Sequence, residues 1–144
     1  MKLSAKSRYA VRLMLDLAMH VGRGPQRTAA LSEHTGVTVR FIEQILKPLK
    51  KSGLVDSVRG AAGGYILAGK PEDVTLAAIL RVVEGDLSLT HCRAAPEICH
   101  RSQVCKAHQA WGRVSRALEA ELSAISLADL MEPLPLGSQH GCDI

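Results

Sequence analysis

Residues 38–67 have the sequence TVRFIEQILKPLKKSGLVDSVRGAAGGYIL, in which a two-faced helix precedes a glycine-rich hairpin. The helix is expected over residues 39–52, because aliphatic residues recur at helical spacing and leave the charged residues on the opposite side. Thr38 is its expected N-cap, and Gly53 stands where a left-handed residue ends a helix. Pro48 removes one backbone donor inside this segment, so we expect the last turn to bend.

A wing is predicted directly after this helix. Residues 54–58 and 65–67 are short apolar strands, and the run RGAAGG at residues 59–64 forms the turn between them. A nucleotide-phosphate loop is not expected at these glycines, because neither a GKS or GKT sequence nor a helix start follows. The pattern therefore indicates a β-hairpin.

Two further helices are expected upstream. The first covers residues 8–21 with Ser7 as its N-cap, and the second covers residues 29–35 with Thr28 as its cap. Gly36 separates the second helix from the third by a tight turn, which is the layout of a helix-turn-helix. Together with the hairpin, the front half of the chain predicts a winged helix-turn-helix in a mainly α protein.

The rest of the chain predicts a helix, a loop, a long helix and a short one. Thr75 is the expected cap of the first of these helices and Ser126 that of the last. The expected division is a winged helix-turn-helix unit at residues 1–84 that ends with the helix Leu76–Glu84, a loop at 85–103, a long helix at 104–124 with a short helix up to 131, and a flexible tail at 132–144.

The composition favours a helical body that binds a polyanion. Of the 144 residues 47% are hydrophobic but only 3% are aromatic, so Leu, Val, Ile and Ala must form the core. Residues 1–70 contain 12 Lys and Arg against 4 Asp and Glu, a net charge of +8, whereas residues 71–144 contain 6 against 10, a net charge of −4. A basic front half is typical of a DNA-binding unit.

A soluble, cytoplasmic protein with no membrane contact is expected. Arg12 and Asp16 interrupt the first apolar run, and no uncharged stretch approaches the ~18 residues of a membrane span. In a reducing cytosol, a cluster of cysteines more often indicates metal or redox chemistry than disulfides.

The exposed side of the third helix supplies residue types that recognise base edges and phosphates. In a major groove Arg engages guanine, Gln engages adenine, Glu accepts from the cytosine amino group, and lysines contact phosphates. The base-contact candidates are Thr38, Arg40, Glu43 and Gln44, and the candidates for phosphate or solvent are Lys47, Lys50 and Lys51. At the wing, a minor-groove cation and the glycines that permit close approach to phosphates are expected at Arg59, Gly60, Gly63 and Gly64.

Three cysteines and one histidine lie in the loop and at the start of the long helix. They are Cys92, Cys99, Cys105 and His108, separated by six, five and two residues. The last two lie one helical turn apart and can point at a common centre. These residues are compatible with three interpretations: an iron-sulfur cluster, a zinc ion or free redox thiols. Zinc sites, however, usually contain more than one close pair of ligands.

Two alternatives concern the same segment. The loop histidines His91 and His100 are alternative ligands, while Cys142 in the predicted tail is not expected to be one. A nucleophile and base formed by Cys105 and His108 would need an orienting acid and a pocket-forming sheet. The sequence provides neither, so an enzyme is not expected.

These segments together resemble the IscR/NsrR-type iron-sulfur transcription regulators of bacteria, over about residues 1–131. The matching runs are MKLSAKSRYAV at 1–11, FIEQIL at 41–46, LKKSGLV at 49–55 and VRGAAGGY at 58–65. The wing sequence combined with the trailing cysteines and histidine is the most specific part. The resemblance implies a homodimer, with a winged helix-turn-helix on each side and a long C-terminal dimerisation helix.

The resemblance also implies site residues and a cofactor. The iron-sulfur ligands it implies are Cys92, Cys99, Cys105 and, as the fourth ligand of the IscR branch with its 2Fe-2S cluster, His108. The base-reading positions it implies are Glu43 and Arg59. The gap between the first two cysteines is one residue longer than in that branch. Arg8 stands where nitric-oxide-sensing relatives use an acidic ligand to a 4Fe-4S cluster, which argues against that branch unless Asp16 or a partner-chain residue substitutes.

The sequence therefore predicts a dimeric, iron-sulfur-sensing transcription factor that binds double-stranded DNA at a palindromic operator. We expect a repressor of iron-sulfur assembly genes or of iron- or redox-stress genes. The state of the cluster would reorder the loop at 85–103 and change the spacing of the two recognition helices. The alternatives are a nitric-oxide-sensing repressor with a 4Fe-4S cluster and a zinc-stabilised DNA-binding regulator.

Overall fold

The computed structural model describes residues 3–133, so most of the expected tail, with Cys142, lies outside the described residues. The helices are α1 Ala5–Met19, α2 Thr28–Thr35, α3 Val39–Lys51, α4 Leu76–Glu84, α5 His91–Ala94, α6 Lys106–Ala124 and α7 Leu127–Met131. The strands are β1 Val55–Val58 and β2 Gly64–Leu67, and two 3₁₀ turns lie at Pro71–Asp73 and Pro96–Ile98. The predicted fold class is confirmed, because a mainly helical body carries a two-stranded antiparallel wing.

The first helix begins earlier than predicted because its N-cap is Ser4 and not Ser7. The Ser4 hydroxyl accepts from the Ser7 backbone N–H at 3.1 Å. Ser7 is instead fully buried, and its hydroxyl donates to the carboxylate of Glu84 at the end of α4. The Ser4 backbone N–H donates to the same carboxylate at 2.9 Å. This carboxylate therefore holds the start of α1 against the end of α4.

The helix-turn-helix is confirmed, with two corrections to its caps. Thr28 is the first residue of α2 and not its cap, and Arg27 occupies the cap position without a side-chain capping bond. Thr38 does precede α3, but its side chain makes no capping bond. Gly36, with φ of 70°, makes the turn between the two helices, since a left-handed backbone favours glycine there.

Helix α3 continues through Pro48 to Lys51, so the proline does not end it early. The Ser52 N–H donates to the Pro48 carbonyl at 3.0 Å, which closes the last turn. Gly53 has φ of 80°, and the next N–H, that of Leu54, donates back to the Leu49 carbonyl at 3.0 Å. The predicted left-handed glycine at the end of this helix is confirmed.

One aliphatic core joins all the larger elements of the front half and also α7. Its fully buried side chains come from α1, α3, α4 and α7, and include Leu13, Met14, Ile42, Ile45, Leu46, Leu49, Ile79 and Leu127. Helix α3 contributes four of these from one face, which fixes its rotation about its own axis. Its charged face is consequently turned to solvent.

The segment predicted as a plain loop contains two short turns of helix. Helix α5 and the 3₁₀ turn Pro96–Ile98 lie within residues 85–103. The N–H groups of Arg93 and Ala94 both donate to the Thr90 carbonyl, at 3.0 and 3.2 Å. A four-residue helix is too short to show a hydrophobic period, which explains why the sequence pattern missed it.

The chain returns to the front half after α6. Thr75 and Ser126 form an antiparallel bridge, in which Leu127 N–H donates to the Val74 carbonyl at 2.8 Å. Both residues also cap helices as predicted: Thr75 caps α4, and Ser126 forms a capping box with Asp129 in α7. Helix α7 packs against α1. Among residues 3–133, no helix is both long and apolar enough to cross a membrane.

Candidate functional site

The outward face of α3 displays every residue type that the sequence analysis assigned to base and phosphate contacts. Positions three, four and seven apart lie on one side of a helix. The exposed side chains on and just before this face are Thr38, Arg40, Glu43, Gln44 and Lys47. The buried face packs into the core, so this solvent face is held in one orientation against the wing.

The wing extends beside α3 with its turn exposed. β1 and β2 are paired from Val55 with Leu67 to Val58 with Gly64. Arg59 and Gly60 lie at the exposed tip, and Gly60 has φ of 111°, a conformation that few other residues adopt. The structure thus places Arg59 at the tip, as the sequence analysis predicted.

Gly63 and Gly64 have a packing role that the sequence analysis did not single out. A Cβ on Gly63 would lie 2.2 Å from the Val58 carbonyl oxygen, and a Cβ on Gly64 would lie 2.4 Å from the Gln26 carbonyl oxygen. The second contact arises because Gln26 pairs with Tyr65, through two backbone hydrogen bonds of 2.8 Å. Both glycines are half-buried. Close backbone packing within the protein is therefore sufficient reason for glycine at both positions.

Two cations brace the wing, and neither contact was foreseen. The Lys50 ammonium donates to the Ser57 hydroxyl, which links α3 to β1. The Arg27 guanidinium donates to the Ala61 carbonyl, which links the start of α2 to the wing tip. Lys50 therefore has a protein partner, where the sequence analysis expected phosphate or solvent. No local pattern links residues so far apart in the chain, and only the tertiary structure shows these pairs.

The three cysteines of the described chain are free and half-buried. Cys105 is the N-cap of α6, which begins at Lys106 and not at 104, and its sulfur accepts from the His108 N–H at 3.4 Å. The Cys92 sulfur lies 3.4 Å from the Thr90 hydroxyl. The structure therefore joins Cys105 to His108 through a capping bond to the backbone N–H, and the convergence of their side chains on one centre stays a prediction.

Arg93 is a further residue of this site that the sequence analysis missed. Its guanidinium Nη1 lies 3.2 Å from His108 Nε2. The same side chain packs over the buried Gly112, where a Cβ would meet the guanidinium carbon at 3.2 Å. His108 Nδ1 is buried and has no hydrogen-bond partner in the described protein. Nε2 therefore accepts from Arg93, so Nδ1 is the donor nitrogen of the ring and has no acceptor among the described residues.

The four predicted ligands are not gathered around a single point. In residues 3–133, the one group of three such side chains whose ligand atoms all lie within 4.8 Å of one another is Asp16, His20 and His34. No three of the donor atoms of Cys92, Cys99, Cys105 and His108 therefore lie within 4.8 Å of one another. Three free thiols and one imidazole are nonetheless donors of the kinds that iron-sulfur groups take in proteins.

The chain belongs to the Rrf2 family. The family model described as "Iron-dependent Transcriptional regulator" matches residues 3–133. This membership makes the protein a winged-helix transcriptional regulator that binds DNA, and not an enzyme. The predicted class of protein is therefore confirmed.

The curated relatives agree with this assignment. The chain is 33% identical over 144 residues to Protein rrf2 of Nitratidesulfovibrio vulgaris, covering 100% of this chain and 96% of that protein. It is 39% identical over 131 residues to the transcriptional regulator IscR of Aliivibrio salmonicida, covering 91% and 77% of the two chains.

Solved structures give the same picture. IscR of T. potens superposes with a TM-score of 0.74 at 38% identity, covering 90% of this chain and 85% of that one. CymR of B. subtilis, described as the global cysteine regulator, superposes with a TM-score of 0.75 at 32% identity, covering 90% and 95%. The resemblance stated from the sequence is confirmed at the level of the family.

Proposed function

We propose that this regulator binds an iron-sulfur cluster of the 2Fe-2S type and that the cluster controls its affinity for operator DNA. The proposed ligands are Cys92, Cys99, Cys105 and His108. The observation that carries the proposal is the buried His108 Nδ1, which lacks a hydrogen-bond partner and belongs to the residue one helical turn after the free, half-buried Cys105. A buried polar atom without a hydrogen bond is costly, and metal ligation is one way to remove that cost.

The chain's own residues bring a thiol and an imidazole to the start of one helix. Cys105 is the N-cap of α6, and its sulfur accepts from the His108 backbone N–H at 3.4 Å. The Arg93 guanidinium lies beside His108, 3.2 Å from Nε2. When bound, an iron-sulfur cluster supplies a centre that can be gained, lost or oxidised. Arg93 would have to yield its contact whichever ring nitrogen ligates, because a ligating Nδ1 leaves the ring proton on Nε2, which then cannot accept from a guanidinium.

We propose further that the protein is a homodimer joined through α6. The start of an apolar stripe on this helix is exposed in the single chain: Trp111 is 47% and Val114 is 48% exposed, and the half-buried Leu118 and Leu122 continue the same spacing. An exposed apolar stripe of this kind is typical of a helix that pairs with another copy. Two-fold symmetry would then require a palindromic operator with one half-site per recognition helix.

The proposed switch acts on the start of α6. Helix α5 packs against α6, and the Arg81 guanidinium pairs with Glu119 further along the same helix. A change at the loop would therefore shift the N-terminal turns of α6 relative to α4 and alter the spacing of the two α3 helices. To convert a mostly inactive population to a mostly active one, the cluster must favour one arrangement by about 3–5 kcal/mol.

The test is anaerobic purification, followed by iron and sulfide analysis and visible spectra. We expect iron and acid-labile sulfide in the wild-type chain, a changed spectrum in His108→Ala, and at least a tenfold difference in operator affinity between cluster-loaded and cluster-free protein at fixed salt. The matched control is His100→Ala, which alters an exposed loop histidine. Protein that contains neither iron nor acid-labile sulfide would overturn the proposal.

The same experiment separates the alternatives. Colourless protein with one zinc per chain would indicate a zinc-stabilised regulator. A 4Fe-4S spectrum that responds to nitric oxide would indicate the nitric-oxide-sensing branch, against which the cation at Arg8 argues. Regulation by thiol oxidation without metal has support from one structural relative, since an oxidised form of Staphylococcus aureus CymR superposes with a TM-score of 0.74. We propose the repressor role because the IscR branch suggests it, and transcription from the operator in the presence of the protein tests it.

A further inference from the structure

A second group of potential metal ligands lies in the front half of the molecule, apart from the cysteines. Asp16 and His20 are on α1, and His34 is on α2. One ligand atom from each of the three lies within 4.8 Å of the others. The side chains are 14%, 24% and 41% exposed in that order, so the group opens to solvent on the His34 side.

The carboxylate of Asp16 is the centre of this arrangement. Asp16 and His20 are four residues apart and therefore lie on the same face of α1. His34 Nδ1 is 3.1 Å from one carboxylate oxygen, and His20 Nδ1 is 3.6 Å from the other. The two imidazole rings stack with centroids 5.4 Å apart and an interplanar angle of 6°. Both rings thus turn the same nitrogen towards one carboxylate.

These separations are the ones that ligands to a shared ion have. Nitrogen and oxygen atoms bonded to one ion at about 2.0–2.2 Å lie about 3–3.5 Å apart in tetrahedral or octahedral geometry. The two imidazole-to-carboxylate distances of 3.1 and 3.6 Å fall close to that range before any ion is present. Both histidines would exchange a hydrogen bond for the ion: His34 Nδ1 donates to the Asp16 carboxylate at 3.1 Å, and His20 Nδ1 is 2.8 Å from the Asp16 backbone carbonyl.

We infer that Asp16, His20 and His34 bind a divalent first-row transition metal ion. Two imidazoles and one carboxylate suit Zn²⁺, Fe²⁺, Co²⁺ or Ni²⁺, whereas Mg²⁺ and Ca²⁺ prefer oxygen ligands alone. Three protein ligands leave further positions for water. Arg12 borders the same hollow, but its guanidinium lies over the Tyr9 ring, 5.6 Å from the centroid. The site is independent of the proposed cluster and of its ligands.

The position of the site gives it a structural consequence. Helix α2 is the first helix of the helix-turn-helix, and α1 is the helix on which it packs. An ion that joins His34 to Asp16 and His20 would fix the angle between these two helices. Because a ligand that binds only the folded state raises its stability, the ion should also raise the thermal midpoint.

The test is a calorimetric titration of Zn²⁺ into the full chain and into the variants His34→Ala, His34→Gln and Asp16→Asn. We expect the wild-type chain to bind one zinc ion more than each variant, and its thermal midpoint to rise by several degrees only when this site is intact. Glu33→Gln is the matched control, since Glu33 is an exposed carboxylate beside His34 on α2. Circular dichroism of each metal-free variant establishes that it is folded.

Nitrogen NMR of the histidine side chains supplies a second measurement that does not depend on any variant. Adding one equivalent of Zn²⁺ should shift the ring resonances of His20 and His34 together, and should do so equally in Cys105→Ser, where the proposed cluster site is damaged. Equal zinc counts in wild type and variants, or unchanged His20 and His34 resonances at saturating Zn²⁺, would overturn the inference. In that case the three side chains form only a hydrogen-bonded group. Neither result bears on the iron and sulfide content that tests the cluster.

Discussion

Gly64 shows how one position without a side chain can join two parts of the molecule. Its neighbour Tyr65 pairs with Gln26, and this pairing brings the Gln26 carbonyl within 2.4 Å of the place where a Cβ would stand. The wing is therefore held to the segment before α2 by the backbone itself. A side chain at this position must separate the two segments.

We predict that Gly64→Ala destabilises the protein by about 1–3 kcal/mol, the usual cost of forcing an atom into a closely packed site. Urea denaturation measures the loss. Gly69→Ala is the matched control, because a Cβ on Gly69 meets nothing within 4 Å and its backbone is not left-handed. Equal stability of the two variants would contradict the proposed clash.

At the same scale, Glu84 gives the fold a dependence on pH. Hydrogen bonds from Ser4 and then from Ser7 lower the pKa of Glu84 below its ordinary value of 4.5. A carboxyl whose pKa is lowered by folding stabilises the folded state above its ordinary pKa, and this contribution disappears as the pH falls through the lowered pKa. Its contact with the start of α1 is therefore lost in acid.

We expect Glu84→Gln to be less stable than wild type at neutral pH, with a difference that shrinks steadily as the pH falls below about 4.5. Thermal midpoints measured at a series of pH values test this expectation. Glu72→Gln, which changes an exposed carboxyl in the turn Pro71–Asp73, serves as the control. A difference between wild type and Glu84→Gln that stays constant with pH would show that the carboxylate charge is not responsible.

At the scale of elements, α3 and the wing form one surface because Lys50 links α3 to β1. If this surface lies on DNA as proposed, Lys47 contacts phosphate from the exposed side of α3. Removing one phosphate contact lowers the slope of log K against log salt by about 0.9 and weakens binding alike on specific and non-specific DNA.

We predict that Lys47→Ala lowers the slope of log K against log salt and weakens binding alike on specific and non-specific DNA. Fluorescence anisotropy with labelled DNA at several salt concentrations measures both quantities. The matched control is Lys70→Ala, since Lys70 is equally exposed but precedes the turn Pro71–Asp73, outside α3 and the wing. An unchanged slope for Lys47→Ala would show that this lysine faces only solvent in the complex.

The elements that could be predicted are those whose signal is local and periodic. The aliphatic stripe of α3, the left-handed Gly53 and the caps of α4 and α7 were all recognised from spacing alone. The start of α1 was misplaced because Ser4 and Ser7 are both good caps, and the choice depends on Glu84, which is 77 residues beyond Ser7. Contacts over such separations leave no trace in a local pattern.

The sequence predicted which residue types belong to the candidate site better than it predicted how they are arranged in space. The one-turn separation of Cys105 and His108 follows from their spacing in the sequence, but their shared ligation stays a prediction. The place of Arg93 was not anticipated, because a four-residue helix and a glycine on α6 together create room for its guanidinium. The group around Asp16 was missed for the same reason, since it joins two helices that are separated along the chain.

At the scale of the whole molecule, α7 is the part that unites the two ends of the chain. Leu127 is fully buried in the core that α1, α3 and α4 form. We predict that Leu127→Ala costs about 2–5 kcal/mol, as is usual for truncating a buried leucine. Urea denaturation measures this loss. The control is Leu130→Ala, which should change stability far less because the Leu130 side chain, on the same short helix, is 37% exposed.

This return of the chain limits what can happen at the cysteine-rich segment. The far end of α6 is attached to the front half through the pairing of Thr75 with Ser126 and through the burial of Leu127. A protease that cuts between residues 86 and 104 would therefore leave two fragments that still share one core. We expect the nicked protein to elute from a sizing column as an undivided species and to separate only in denaturant. The two pieces, made separately and mixed, should reassemble, because the shared core does not depend on the covalent link through residues 86–104.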